Sequence, residues 1–272
     1  MYEAFYGFRE RPFTLSPDPR FMYLAPPHRR ALTVIEYALA SEAPFCLISG
    51  EVGCGKTTLL RYLLSTLSAN YSVGLISNTS SDFGPILPWI SNAFGLEHRH
   101  HDAVSLHQQF TDFLIAEYAK GHKVVLIVDE AQNLNAARLE ELRVLSNINS
   151  DKHLVLQTML VGQPELRDTI RSPQLRQLAQ RIVADHHIEP LTLDDARIYV
   201  RHRLRRAGGK VSLFSNSAIQ LAYQHSGGIP RLINQYCERA LVYGYADSVR
   251  QISSELMQVA IHDRARNGLV TG

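Results

Sequence analysis

Gly50-Glu51-Val52-Gly53-Cys54-Gly55-Lys56-Thr57 follows the pattern G-x-x-x-x-G-K-[ST], and no other stretch of the sequence narrows its possible folds as far. At ordinary residue frequencies the pattern turns up by chance in roughly one chain in a hundred of this length, so its surroundings decide its meaning. Pro44 introduces the apolar run Phe45-Cys46-Leu47-Ile48-Ser49, which predicts a buried strand, and a helical pattern follows from Thr57 to Ser68. A glycine-rich turn between strand and helix lets successive N–H groups point at one phosphate, and the helix N-terminus adds partial positive charge. Lys56 is then the cation for the outer phosphates, and the Thr57 hydroxyl is a ligand for Mg²⁺. Gly50, Glu51, Val52, Gly53, Cys54, Gly55 and Thr58 complete the candidate nucleotide contacts; Cys54 serves through its backbone, not its thiol.

Val124-Val125-Leu126-Ile127-Val128 predicts a central strand covered on both faces, with Asp129-Glu130 at its tip. Ligands of open α/β folds bind at that carboxyl edge. Asp129 is the candidate for holding Mg²⁺ through its water shell, and Glu130 for polarising an attacking water. Strands are also predicted at Val73–Ile76 and Leu154–Val161, and helices at Arg29–Ala40, Ser105–Lys120 and Ala136–Ile148. Such alternation implies right-handed crossovers and a mainly parallel sheet sandwiched by helices. After Pro190 the strand pattern stops. Thr192, Ser215 and Ser253 offer helix caps and Gly227-Gly228 a stop, which predicts a small all-helical domain. The expected organisation is an arm over 1–30 packing on the core, an α/β nucleotide-binding domain over 31–190, a helical domain over 191–266 and a tail over 267–272.

Composition removes several function classes. With 45% hydrophobic and 20% charged residues, the chain is neither disordered nor fibrous. Val211–Pro230, as long as any uncharged stretch in the sequence, is too polar to cross a membrane, and the first residues lack the basic-then-apolar pattern of a signal peptide. Cys46, Cys54 and Cys237 are odd in number and far apart, which predicts no disulfide framework and a cytoplasmic location. The net charge of +2 conceals an asymmetry, −3 over residues 1–190 and +5 over 191–272. Arg197, Arg201, Arg203, Arg205 and Arg206 crowd one predicted helix, where Arg197, Arg201 and Arg205 share a stripe open to solvent or to phosphates. His98, His100 and His101 fit no metal template and predict a solvated loop. His186-His187 is assigned no chemistry, and Phe83–Leu96, around Trp89, predicts a core helix after a loop.

Motifs spread over almost the whole chain carry a family resemblance. Met1-Tyr2-Glu3-Ala4-Phe5-Tyr6-Gly7-Phe8, Arg11-Pro12-Phe13-Thr14-Leu15-Ser16-Pro17-Asp18-Pro19-Arg20-Phe21 and the loop at 50–57 look like the ExeA/GspA family of AAA+ ATPases. So do Asp129-Glu130-Ala131-Gln132-Asn133-Leu134, Val161-Gly162-Gln163-Pro164-Glu165-Leu166 and Gly228-Ile229-Pro230-Arg231. The resemblance implies a P-loop NTPase fold of AAA+ type with a helical lid, working as a ring or filament, hexamers included. It implies hydrolysis of ATP with Mg²⁺ at subunit interfaces. Gln163 would orient the attacking water; Arg181, with Arg176 in reserve, would be the arginine finger of a neighbouring subunit; Arg231 would reach the γ-phosphate from the lid. Asn78 would hold Glu130 inactive until a partner binds, and Pro12, Phe13 and His28 fall where the family's adenine pocket forms. Expected partners are components of an envelope machine for type II secretion, pilus assembly or exopolysaccharide export. Long family members continue into a membrane span and a periplasmic peptidoglycan-binding module, which this sequence does not contain. The alternative resemblance, to the MuB and TnsC ATPases, implies duplex DNA and a transposase as partners.

Overall fold

The computed structural model describes residues 1–77, 84–98, 102–150 and 153–267. They form two compact units: one of residues 30–50 and 63–188, the other of residues 1–29, 51–62 and 189 onward.

The first unit is built on five parallel strands, β1 (Phe45–Gly50), β2 (Tyr71–Ile76), β3 (Lys123–Val128), β4 (Leu156–Gly162) and β5 (Ile182–Ile188), in the order β2-β3-β4-β1-β5. The three inner strands are nearly continuous apolar runs, buried along almost their whole length, as a parallel sheet covered on both faces requires. The helices in chain order are α1 (Pro26–Ala40), α2 (Lys56–Thr66), α3 (Leu87–Ala93), α4 (Ala103–Ala119), α5 (Ala136–Leu145) and α6 (Pro164–Arg171). Phe110 and Leu114 of α4, Leu139 of α5 and Ile90 of α3 share one buried cluster with Phe45, Leu126 and Leu160 of the sheet. The parallel α/β fold expected from the sequence is the fold observed. Element ends differ by a few residues. Helix α1 begins at Pro26, within the stretch assigned to the arm, because proline suits the first helical turn. Helix α4 begins at Ala103, where the Asp102 carboxylate accepts from the Ser105 N–H at 2.8 Å. The strand expected from Leu154 is interrupted: His153–Leu154 pairs antiparallel with Asn149–Ser150, and β4 starts at Leu156.

The second unit is helical, with α7 (Leu193–Arg206), α8 (Asn216–Ser226), α9 (Pro230–Ala246) and α10 (Ser254–Asn267). Thr192 and Ser215 cap α7 and α8 through their side chains, and Gly227 ends α8 in the left-handed conformation. The arm, expected to pack on the nucleotide-binding core, instead supplies the core of this helical unit. Tyr2, Tyr6, Phe8, Phe13 and Phe21 are buried in one cluster with Val200, Leu204, Ile219, Ile233 and Leu241. Four amphipathic helices leave an apolar face that needs cover, and five aromatic rings provide it. Arg203, one of the five arginines crowding this helix, is enclosed by the arm as well. It is buried, donates to the Pro12 carbonyl at 2.5 Å and to the Tyr199 hydroxyl at 3.0 Å, and lies 4.9 Å from the centre of the Phe21 ring. Among the described residues, no helix is long and apolar enough to cross a membrane.

Candidate nucleotide site

The glycine-rich loop leaves the carboxyl end of β1 and runs into α2. Gly53 and Gly55 have φ +86° and +94°, the left-handed region that only glycine enters without strain. Gly53 is constrained a second time, since a Cβ there would stand 2.5 Å from the Cβ of Arg231. The N–H of Arg231, in the first turn of α9, donates to the Gly53 carbonyl at 3.2 Å, while its side chain is exposed. His28 secures the next carbonyl, its Nε2 standing 2.8 Å from the oxygen of Cys54. A carbonyl can only accept, so Nε2 carries a proton and is the donor. Burial holds His28 below the usual histidine range. The Lys56 ammonium folds back to donate to the Glu51 carbonyl at 3.0 Å. Burial pushes the Cys54 thiol up to about 11, so it stays protonated at neutral pH and makes no nucleophile.

Structure brings His28 and Arg231 to the loop, but not Phe13. The Phe13 ring is 1% exposed and meets Phe214 edge-on at 5.7 Å, inside the helical unit's core. Phe13, expected in the adenine pocket, thus has its ring packed in that core. Pro12 is buried beside it with its carbonyl committed to Arg203.

At the sheet's carboxyl edge, β1, β4 and β3 are successive neighbours and end in Gly50, Gly162 and Val128. Asp129 is 3% exposed and accepts from the Glu130 N–H at 3.0 Å. Its carboxylate and the Thr57 hydroxyl are hard oxygen donors of the kind Mg²⁺ takes. Glu130 adopts φ +54°, uncommon for a side-chain-bearing residue, and opens a short turn, Ala131–Asn133. One of its carboxylate oxygens accepts from the Gln132 amide at 2.7 Å, and the Gln163 amide stands 3.5 Å from the same oxygen. The Gln163 backbone N–H in turn donates to Gln132 Oε1 at 3.0 Å. Gln132 was passed over in the sequence because it falls in no periodic pattern; its position two residues after the acid of a strand tip was the available signal.

A family profile described as an AAA domain matches residues 39–170. General secretion pathway protein A of Aeromonas hydrophila is 42% identical over 253 residues, which cover 93% of this chain and 46% of that protein. The chain belongs to the ExeA/GspA-like family of AAA+ ATPases. It spans about half the length of that relative. The ORC2 protein of Aeropyrum pernix in its ADP form superposes with a TM-score of 0.69 at 17% identity, over 97% of this chain and 75% of that one. RuvB of Thermotoga maritima, a Holliday junction branch migration motor, gives 0.57 at 17% identity, over 93% and 72% of the two chains. These two likenesses bear on the fold alone.

The remaining expected positions of this AAA+ chain are scattered. Arg181 lies just before β5, half-buried, and donates to the Ser146 hydroxyl at 2.5 Å and to the Asn147 side chain, both past the end of α5. Arg176 is exposed. Asn78, like His100 and His101, lies outside the described residues.

Proposed function

We propose that the chain is an ATPase that hydrolyses ATP to ADP and phosphate between subunits of a ring or filament, hexamers included. One observation carries the reading: β1, β4 and β3 are successive neighbours in the sheet and end in Gly50, Gly162 and Val128, the residues that lead along the chain into the glycine-rich loop, Gln163 and Asp129-Glu130. In this scheme the loop's N–H groups and Lys56 hold the phosphates, while Thr57 and Asp129 hold Mg²⁺, which would neutralise charge on the phosphate oxygens. Glu130 takes a proton from water and Gln163 orients it; Arg231 approaches from the helical unit, and Arg181 acts on the neighbouring subunit's nucleotide once its bonds to Ser146 and Asn147 are released. His28 and Pro12 remain with the adenine end, and Asn78 keeps its proposed role on Glu130. The parts of this scheme are the sheet domain over 31–190 and the lid over 191–266, with the arm over 1–30 built into the lid's core.

Lys56→Ala should abolish nucleotide retention in the presence of Mg²⁺, and Glu130→Gln should retain nucleotide while hydrolysis falls by about 10² or more. Hydrolysis by Glu130→Gln at the parent rate would remove Glu130 from the base's role. The client is proposed from the GspA relative: the cytoplasmic side of an envelope secretion or pilus machine. A second reading, a transposition regulator on duplex DNA, is favoured by a groove on the helical unit lined by Arg201, Arg205, Ser215 and Asn216. Duplex binding that weakens steeply as salt rises, one counterion per neutralised phosphate, would promote it; absence of binding at low salt would leave the secretion client.

A further inference from the structure

We propose that Gln132 is the positioning residue for Glu130, locking the general base to the strand that carries the water-orienting Gln163. The inference rests on the ATPase reading above. Three observations converge. Gln132 makes both of its bonds at once, giving 2.7 Å to the Glu130 carboxylate and receiving 3.0 Å from the Gln163 N–H. Neither partner permits the reverse arrangement: an ionised carboxylate only accepts and a backbone N–H only donates, so the amide's orientation is dictated. The fold also makes room for it. A Cβ on Gly162 would stand 2.8 Å from Gln132 Oε1 and 3.2 Å from its backbone nitrogen. Glycine at the end of β4 is therefore what lets the turn after β3 lie against the start of α6. Finally, Glu130 sits in the left-handed region at φ +54°, and a charge-assisted bond from the Gln132 amide holds its carboxylate.

A carboxylate that swings freely spends only part of its time where it can take a proton from water, so the bridge acts on turnover rather than on affinity. The test is steady-state hydrolysis and nucleotide binding for Gln132→Met, Gln132→Glu and Gly162→Ala, beside the parent and Glu130→Gln. Gln132→Met keeps length and volume but gives up both bonds; Gln132→Glu keeps the acceptor for Gln163 and places a like charge against Glu130. The expected result is kcat lowered about tenfold or more in all three, with KM and nucleotide Kd within about twofold of the parent. In combination with Glu130→Gln, Gln132→Met should lower the rate no further, because its effect passes through that carboxylate. A parent-like kcat for Gln132→Met, or full additivity with Glu130→Gln, overturns the proposal. A parent chain that binds but never turns over ATP overturns the ATPase reading itself, a distinct result. Thermal melting of Gly162→Ala, read alongside, separates misfolding from lost positioning: a folded variant with parent-like kcat also counts against the bridge.

Discussion

His28 is a small side chain with a disproportionate position, since it holds the carbonyl of Cys54 within the phosphate loop. Its folded pKa is depressed by burial, against an unfolded value of about 6.5. Below that pH the unfolded chain takes up a proton the folded ring resists, so stability is intact above about 6.5 and is lost as pH falls toward the lower folded value. His202 is shifted the same way, by burial and then by Arg206, Arg203 and Arg205, and adds to the effect. The melting temperature should therefore fall as the buffer moves from pH 7.5 to 5.5. His28→Gln, which can still donate to Cys54 but cannot titrate, should flatten that dependence; an unchanged slope would take the ring out of the account. Cys54 tests the neighbouring position from the other side. Its thiol is buried and protonated, so Cys54→Ala should hydrolyse ATP within about twofold of the parent in a phosphate-release assay.

Helix α7 shows how an element's face depends on what covers it. Arg203 is enclosed by the arm's Pro12, Thr14 and Phe21, so Arg203→Ala strands two carbonyls, while the Tyr199 hydroxyl keeps its bond to Asn234, and should cost about 3 kcal/mol in chemical denaturation. Arg205→Ala on the exposed side should cost less than about 0.5 kcal/mol. Gly228→Ala should be severe as well: at φ +80° a Cβ would fall 2.1 Å from the Leu191 carbonyl, whose own N–H donates to Gly228. These contrasts mark what was legible beforehand. The phosphate loop, the acids at the tip of β3 and the caps Thr192 and Ser215 are local signals, each specified by residues within a few positions of one another. Helical spacing placed Arg197, Arg201 and Arg205 on one stripe but could not show that Arg203 would be roofed, because its acceptors Pro12 and Thr14 lie about 190 positions earlier. The packing of Phe13 was not legible for the same reason, its edge-on partner Phe214 being equally remote in the chain. Gln132 was missed because its role needs a left-handed Glu130 and a bare Gly162, neither of which has a periodicity.

At the scale of the whole molecule, chain order and spatial grouping do not coincide. Residues 51–62, which hold the loop, group with the arm and with the segment after 189, not with the strand that leads into them. Within that unit Arg231 and His28 each engage a loop carbonyl. Oligomer formation should show in turnover: if Arg181 serves a neighbouring nucleotide, specific activity should rise with protein concentration, and Arg181→Ala should abolish that rise, with kcat lower by 10³ or so. A specific activity independent of concentration for the parent would argue against the shared site. The grouping also bears on synthesis. Every stretch of the sheet unit is made once residue 188 has been added, whereas the phosphate loop waits for the brace provided by Arg231. At about 5–20 residues per second, that wait is on the order of a few seconds on the ribosome, during which the emerging polypeptide would hold a finished sheet beside a loop without its brace.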